Sequence, residues 1–139
     1  MNINLRDSSP MSHTPNTDLD HPYADLLGFV IDSKADGKSC CSLPFSKKLL
    51  NPNNVVHGGA IYSLADTGMG AALMSAVNEA ELCATIEIKI TYLHAAGPED
   101  LRCETQVIKK GRRVAMLESD IYSGDKLIAK ASGSFALFS

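Results

Sequence analysis

From Gly59 to Val77 the chain reads GAIYSLADTGMGAALMSAV, with no lysine, arginine or proline and a single carboxylate, Asp66. Its length is about twenty residues, or about 30 Å of helix. A helix apolar on every side has to be enclosed by the rest of the molecule. A bilayer is the other enclosure to consider. An Asp at mid-membrane costs about 3 kcal/mol, and Ser63, Thr67, Ser75 and the glycines also argue for a helix buried in a water-soluble core. Asp66 then needs a reason: a carboxylate taken out of water is costly unless it is paired, hydrogen-bonded or employed.

The remaining segments read as the enclosure. HPYADLLGF (His21 to Phe29) suits a short helix, with Pro22 in its first turn and Gly28 as its stop. Short strands are predicted over Val30 to Ser33 and Gly37 to Pro44, joined by a turn at Ala35-Asp36-Gly37, and SKKLLNPNNVV is a loop. After Leu82 the apolar residues alternate with period two. In ATIEIKITYL, Ile86, Ile88, Ile90 and Tyr92 share one face, and Glu87, Lys89 and Thr91 the other. Further strands are predicted over Leu101 to Lys109, with Leu101, Cys103, Thr105 and Val107 inward, and over Val114 to Tyr122. After the hairpin signal SGDK comes a last strand, Leu127 to Phe138, with Leu127, Ala129, Ala131, Gly133, Phe135 and Leu137 inward. Gly68 and Gly70 cost about 1 kcal/mol each in a helix interior, which close approach by the small middle of this strand would explain. The order predicts an α+β fold, one curved antiparallel sheet wrapped around one long central helix.

A chain of 139 residues fits one domain, predicted over residues 21–139 after a flexible, polar tail at 1–20 that lacks the apolar core of a signal peptide. Net charge −3 and 21% charged residues show no basic excess, so neither nucleic acid nor membrane is expected as a partner. Cys40, Cys41, Cys83 and Cys103 have neither metal-site spacing nor a disulfide framework, which suggests a reducing, cytoplasmic setting with no metal.

The loop N-P-N-N-V-V-H-G-G, Leu64-Ala65-Asp66, the T-Y-L ending of the strand from Thr85 to Leu93, and Gly111-Arg112-Arg113 together resemble the hotdog-fold thioesterases of the phenylacetic acid degradation type, across nearly the whole chain after Pro22. The resemblance implies a hotdog fold, hydrolysis of an acyl-coenzyme A thioester, and a homodimer or dimer of dimers (a homotetramer) with each site shared across a subunit interface. It implies no cofactor, since coenzyme A is part of the substrate. Asn54 stands where the family usually has Gly, and His94 where it usually has Arg or another residue followed by Pro.

A thioester carbonyl under attack by water develops negative charge on oxygen, and free backbone amides at a helix N-terminus suit that charge. The resemblance assigns this role to Gly58, with Gly59 beside it. It makes Asp66 a general base or a nucleophile, Asn51 a second carbonyl contact, and Thr85 a hydroxyl that orients the attacking water. Strict alternation puts Thr85 away from the helix, so its role requires a bulge or a site contributed to a partner subunit. His57 counts among the candidate catalytic residues, but with no Ser-His-Asp set nearby it is expected to fix the loop presenting Gly58. Arg112 and Arg113, in the turn KKGRR, are candidate contacts for coenzyme A phosphates. Tyr62, Met69, Leu73 and Met74 are candidates for the acyl pocket. The alternatives are a non-catalytic acyl-coenzyme A binder or sensor on the same fold, and a hydratase, whose paired His and acidic signature is missing.

Overall fold

A computed structural model describes residues 21–139; the predicted tail lies outside the described residues. Helix α1 (Pro22–Leu27) begins with the ring Nδ1 of His21 accepting from the Ala24 amide at 3.1 Å, and it ends on Gly28 at φ 90°. Strands β1 (Val30–Ala35) and β2 (Lys38–Leu43) form a hairpin whose turn holds Asp36 at φ 53° and Gly37 at φ 80°. Two consecutive left-handed residues make a turn that matches the twist of the paired strands. A short 3₁₀ turn, Lys47–Leu49, leads through a loop to helix α2 (Gly58–Met74). Strands β3 (Leu82–Tyr92), β4 (Leu101–Lys110), β5 (Val114–Ser123) and β6 (Lys126–Phe138) complete one antiparallel sheet in the order β1-β2-β4-β5-β6-β3. The sheet wraps α2, as predicted from periodicity.

α2 stops three residues short of the predicted Val77. The Ser75 hydroxyl donates to the Ala72 carbonyl at 2.7 Å and accepts the Gly37 amide at 2.9 Å, tying the helix end to the β1–β2 turn.

Two bulges change predicted side-chain directions. Between Thr85 and Glu87 the register of β3 against β6 shifts by one residue, which turns Ile86 outward, 56% exposed, instead of joining Ile88 and Ile90 on the inner face. Tyr92, predicted on the same face, is 47% exposed. Between β5 and β6, Ile121 faces Ala129 while Tyr122 faces Leu127, so the extra residue Ile128 is the fully buried one and Leu127 only half-buried. An extra residue reverses the parity of all that follows it.

Close approach does not explain both helix glycines. A Cβ on Gly68 would lie 2.8 Å from Thr105 Oγ1 and 3.2 Å from Cys103 Sγ, so β4, not β6, requires that glycine. A Cβ on Gly70 would meet nothing within 4 Å among the described residues. Gly133 of β6 makes room for the Met69 sulfur, which would lie 2.7 Å from a Cβ there.

Leu64, Met69 and Leu73 of α2 pack in a solvent-free core with Leu43, Leu101, Leu117, Ile121 and Ile128. The polar groups inside are paired: Ser39 donates to the Gly68 carbonyl at 2.7 Å, and the Thr105 and Ser119 hydroxyls are 2.6 Å apart. Among the described residues no helix is long and apolar enough to cross a membrane.

Candidate active site

The loop before α2 is held by its own asparagines. Asn51 Oδ1 accepts the Asn53 amide at 2.8 Å and the Val55 amide at 3.3 Å, and Asn54 takes the left-handed conformation at φ 61° that this residue type tolerates. Two backbone bonds anchor the exit: the Val56 amide donates to the Ala96 carbonyl at 2.9 Å and the His57 amide to the Leu49 carbonyl at 2.8 Å. His57 is the N-cap of α2, its Nδ1 accepting the Gly59 amide at 2.7 Å. That bond assigns the ring proton to Nε2 and removes Gly59 from the free donors.

The Ala60 amide is bonded to the His57 carbonyl. Gly58, between these bonded neighbours, keeps an amide with no partner among the described residues. It borders a pocket of about 310 Å³ lined with Val56, Ile61, Tyr92 and His94. Tyr92 Oη donates to the Gly58 carbonyl at 2.6 Å, and burial, followed by the nearby Tyr62, pushes its phenol up, so it stays a donor.

Eight residues on, Asp66 stands on the wall of a cleft of about 380 Å³ between α2, the start of β3, and a cover formed by α1 and β1. It is half-buried there, not enclosed as the apolar segment predicted. Thr85 Oγ1 donates to Asp66 Oδ1 at 2.8 Å. The bulge immediately after Thr85 is the one its role required, and the pair forms within a single chain. Burial, then the Asp66 charge, pushes the Cys83 thiol in the same cleft up, which keeps it protonated and weakly nucleophilic.

The structure therefore brings Asp66 and Thr85 together, and groups Asn51, His57, Gly58 and Gly59 at the helix start. Arg112 and Arg113 sit exposed in the β4–β5 turn and line neither pocket; Lys110 beside them pairs with Glu81 at 3.5 Å. Of the acyl-pocket candidates only Met74 lines the cleft. Met69 and Leu73 are fully buried core residues, and Tyr62 reaches the Ile88 carbonyl at 3.3 Å. The cleft also holds Tyr23, whose hydroxyl is 2.8 Å from Ser63 Oγ, together with Thr67, Gly70 and Phe135. The one sequence signal for these was helical spacing from Asp66, since Ser63, Gly70 and Met74 fall on its face.

Comparison with known proteins shows the family and the fold. A family model for the thioesterase superfamily matches residues 53–130, more than half of the chain, and that span includes Gly58, Asp66 and Thr85. A Pseudomonas aeruginosa protein named only as a candidate esterase is 32% identical over 118 residues, covering 84% of this chain and 88% of the relative. A solved structure of a conserved protein from the same organism superimposes with a TM-score of 0.85 at 35% identity, covering 89% of this chain and 99% of the other. The Escherichia coli PaaI protein of the phenylacetic acid degradation operon shares the fold, with a TM-score of 0.81 at 21% identity over 97% of this chain and 93% of its own. The six-stranded sheet around one long helix is the hotdog fold of these thioesterases.

Proposed function

Because this chain belongs to the thioesterase superfamily, we propose that it hydrolyses an acyl-coenzyme A thioester to the free acid and coenzyme A, with no cofactor. The observation that carries this reading is a carboxylate oriented by a hydroxyl, Asp66 with Thr85, on the same helix as the Gly58 amide, which has no partner among the described residues. Thr85 occupies Oδ1 and leaves Oδ2 for water. Asp66 takes a proton from that water as its oxygen bonds to the carbonyl carbon. The carbonyl oxygen becomes an oxyanion received by an amide at the positive end of a helix, and the carbon–sulfur bond breaks as the proton passes to the leaving thiolate. Asp66 as a nucleophile, through an anhydride that water then opens, uses the same atoms.

Gly58 and Asp66 are eight residues apart, about 12 Å along one helix axis. One carbonyl group cannot meet both, because the amide must lie within about 3 Å of its oxygen and the carboxylate within one water, about 6 Å, of its carbon, and the two reaches together fall short of that separation. The reading therefore requires two chains, the Gly58 of one facing the Asp66 of the other across a two-fold axis, as homodimer or dimer of dimers. Among the described residues strand β3 has a sheet neighbour on one side only, and its Ile86 is exposed, so it offers an edge for such pairing. Asn51 adds a second carbonyl contact through its side-chain amide, and Arg112 and Arg113 meet the coenzyme A phosphates at the surface. A reducing, cytoplasmic compartment fits the four free thiols.

The test is thiol release from aryl-, short- and medium-chain acyl-coenzyme A thioesters by the wild type and Asp66→Asn. The variant is expected to lose about 10³-fold in kcat with its oligomeric mass unchanged. Turnover equal in both sinks the assignment of Asp66; binding without turnover in both replaces the enzyme with an acyl-coenzyme A sensor.

A further inference from the structure

Gly70 sits in the interior of α2, where glycine costs about 1 kcal/mol relative to alanine. Nothing among the described residues accounts for that cost. Its backbone is helical, not left-handed, and a Cβ built on it meets no atom within 4 Å. The contrast is Gly68, two residues earlier, which the Thr105 hydroxyl leaves no choice.

The space beside Gly70 is part of the Asp66 cleft. On the helix wall the cleft runs from Ser63 and Asp66 past Gly70 to Met74. Its far end, one to two turns beyond the carboxylate, is apolar, closed by Ala71 and Met74 from the helix and by Cys83, Ala84 and Phe135 from the sheet, with Cys83 held as the neutral thiol. Tyr23 and Ser63 meet at the other end beside Asp66 and Thr85, and the one cation of the described lining near Gly70, the exposed Lys34 of β1, stands on the rim with its ammonium toward solvent. A thioester with its carbonyl at Asp66 has two arms of opposite character: a pantetheine carrying amides and phosphates, and an acyl group with only carbon and hydrogen to bury. Only the second suits the Gly70–Met74 end.

We propose that this end of the cleft is the acyl pocket and that Gly70, one turn or about 6 Å past the carboxylate, is the residue that sets its depth. The substrate class is then apolar acyl groups long enough to pass Gly70, in preference to acetyl. This inference rests on the thioesterase reading but can be tested apart from it. Gly70→Val places three carbons in the space while improving helix propensity, so a poorly folded variant is not the expected outcome; Gly70→Ala is the graded control.

The measured quantity is the ratio of kcat/KM for hexanoyl- or phenylacetyl-coenzyme A to that for acetyl-coenzyme A. A drop of at least tenfold in Gly70→Val, with Gly70→Ala between it and wild type, is expected, since single methylene groups in apolar pockets already discriminate by about 10-fold or more. An unmoved ratio, or an equal fall for every chain length, overturns the proposal. So does a change in oligomeric mass by light scattering, because the open side of Gly70 would then belong to a subunit contact. Calorimetric titration of Asp66→Asn and Asp66→Asn/Gly70→Val with the same thioesters reads length preference without turnover. A length-selective loss of binding there, beside a wild type that hydrolyses nothing, keeps the acyl pocket and removes the enzyme. Hydrolysis with an unmoved ratio removes the pocket and keeps the enzyme. No binding at any length overturns both.

Discussion

Helix α2 has two unlike sides. Toward β2, β4 and β5 it is closed: Leu64, Gly68 and Ala72 meet strand side chains with no space left over, and the Ser39, Thr105 and Ser119 hydroxyls are all paired. Toward α1 and the start of β3 it is open: Ser63, Asp66, Gly70 and Met74 border a cleft, and the carboxylate keeps an oxygen free of protein partners among the described residues. The same helix thus carries a side set by packing and a side that packing leaves unexplained. Stability is stored on the first, and chemistry is to be sought on the second, since a group that neither packing nor hydrogen bonding employs is available to a ligand.

Gly68 and Gly70 offer the sharpest way to break this comparison. Alanine at 70 is expected to raise stability by up to about 1 kcal/mol through helix propensity alone. Alanine at 68 drives its Cβ against the Thr105 hydroxyl, itself locked 2.6 Å from Ser119, and is expected to cost about 1–3 kcal/mol from overpacking despite the same propensity gain. Denaturant midpoints of the two variants check this; shifts of the same sign would mean that the two sides do not differ as described.

A pH series separates the sides by a smaller amount. On the closed side burial pushes the Cys41 thiol up to about 12 and the Cys103 thiol up to about 11, from an ordinary 9.0. Well below pH 9 both are protonated whether the chain is folded or not, and their contribution is complete. From pH 9 toward 11 the unfolded chain loses protons that the folded one retains, so stability falls, by up to about 1.4 kcal/mol per pH unit for each thiol. Cys41→Ala is expected to flatten this alkaline decline while lowering stability at neutral pH through the cavity it leaves. A decline as steep as in the wild type would show that Cys41 is not held protonated by its burial.

The two sides were unequally legible in the sequence. Period-two alternation located four of the strands, because a half-buried strand must write its inner face in every second residue, and the apolar run located the helix because every turn of it touches something apolar. The loop, the HGG start and Asp66 were legible as a local pattern. Bulges were not, since an extra residue at Ile86 or Ile128 leaves the composition unchanged and shows itself only against the paired strand. Parity did raise the question of Thr85, and the bulge answered it. Gly68 and Gly70 are indistinguishable as letters; what separates them is that Thr105, some forty residues away in the chain, packs against one and not the other. Tyr92 on Gly58 and Tyr23 on Ser63 are equally non-local contacts.

The smallest expected effect tests the electrostatics of the open side directly. Cys83 lines the cleft, and the Asp66 charge, after burial, resists its ionisation. Only the thiolate attacks iodoacetamide, displacing iodide, so at pH 8 alkylation of Cys83 should be slow, and Asp66→Asn should accelerate it a few-fold by lifting the repulsion. Added salt should accelerate it in the wild type and not in the variant, because screening acts only where there is a charge to screen. Cys40, on the outer face of the sheet, takes its upward push from burial and then Asp32, so its rate should ignore the substitution and serves as the internal control when both peptides are followed by mass spectrometry. If Cys83 and Cys40 respond alike, the Asp66 charge does not reach the thiol, and the two side chains do not share one cleft in solution.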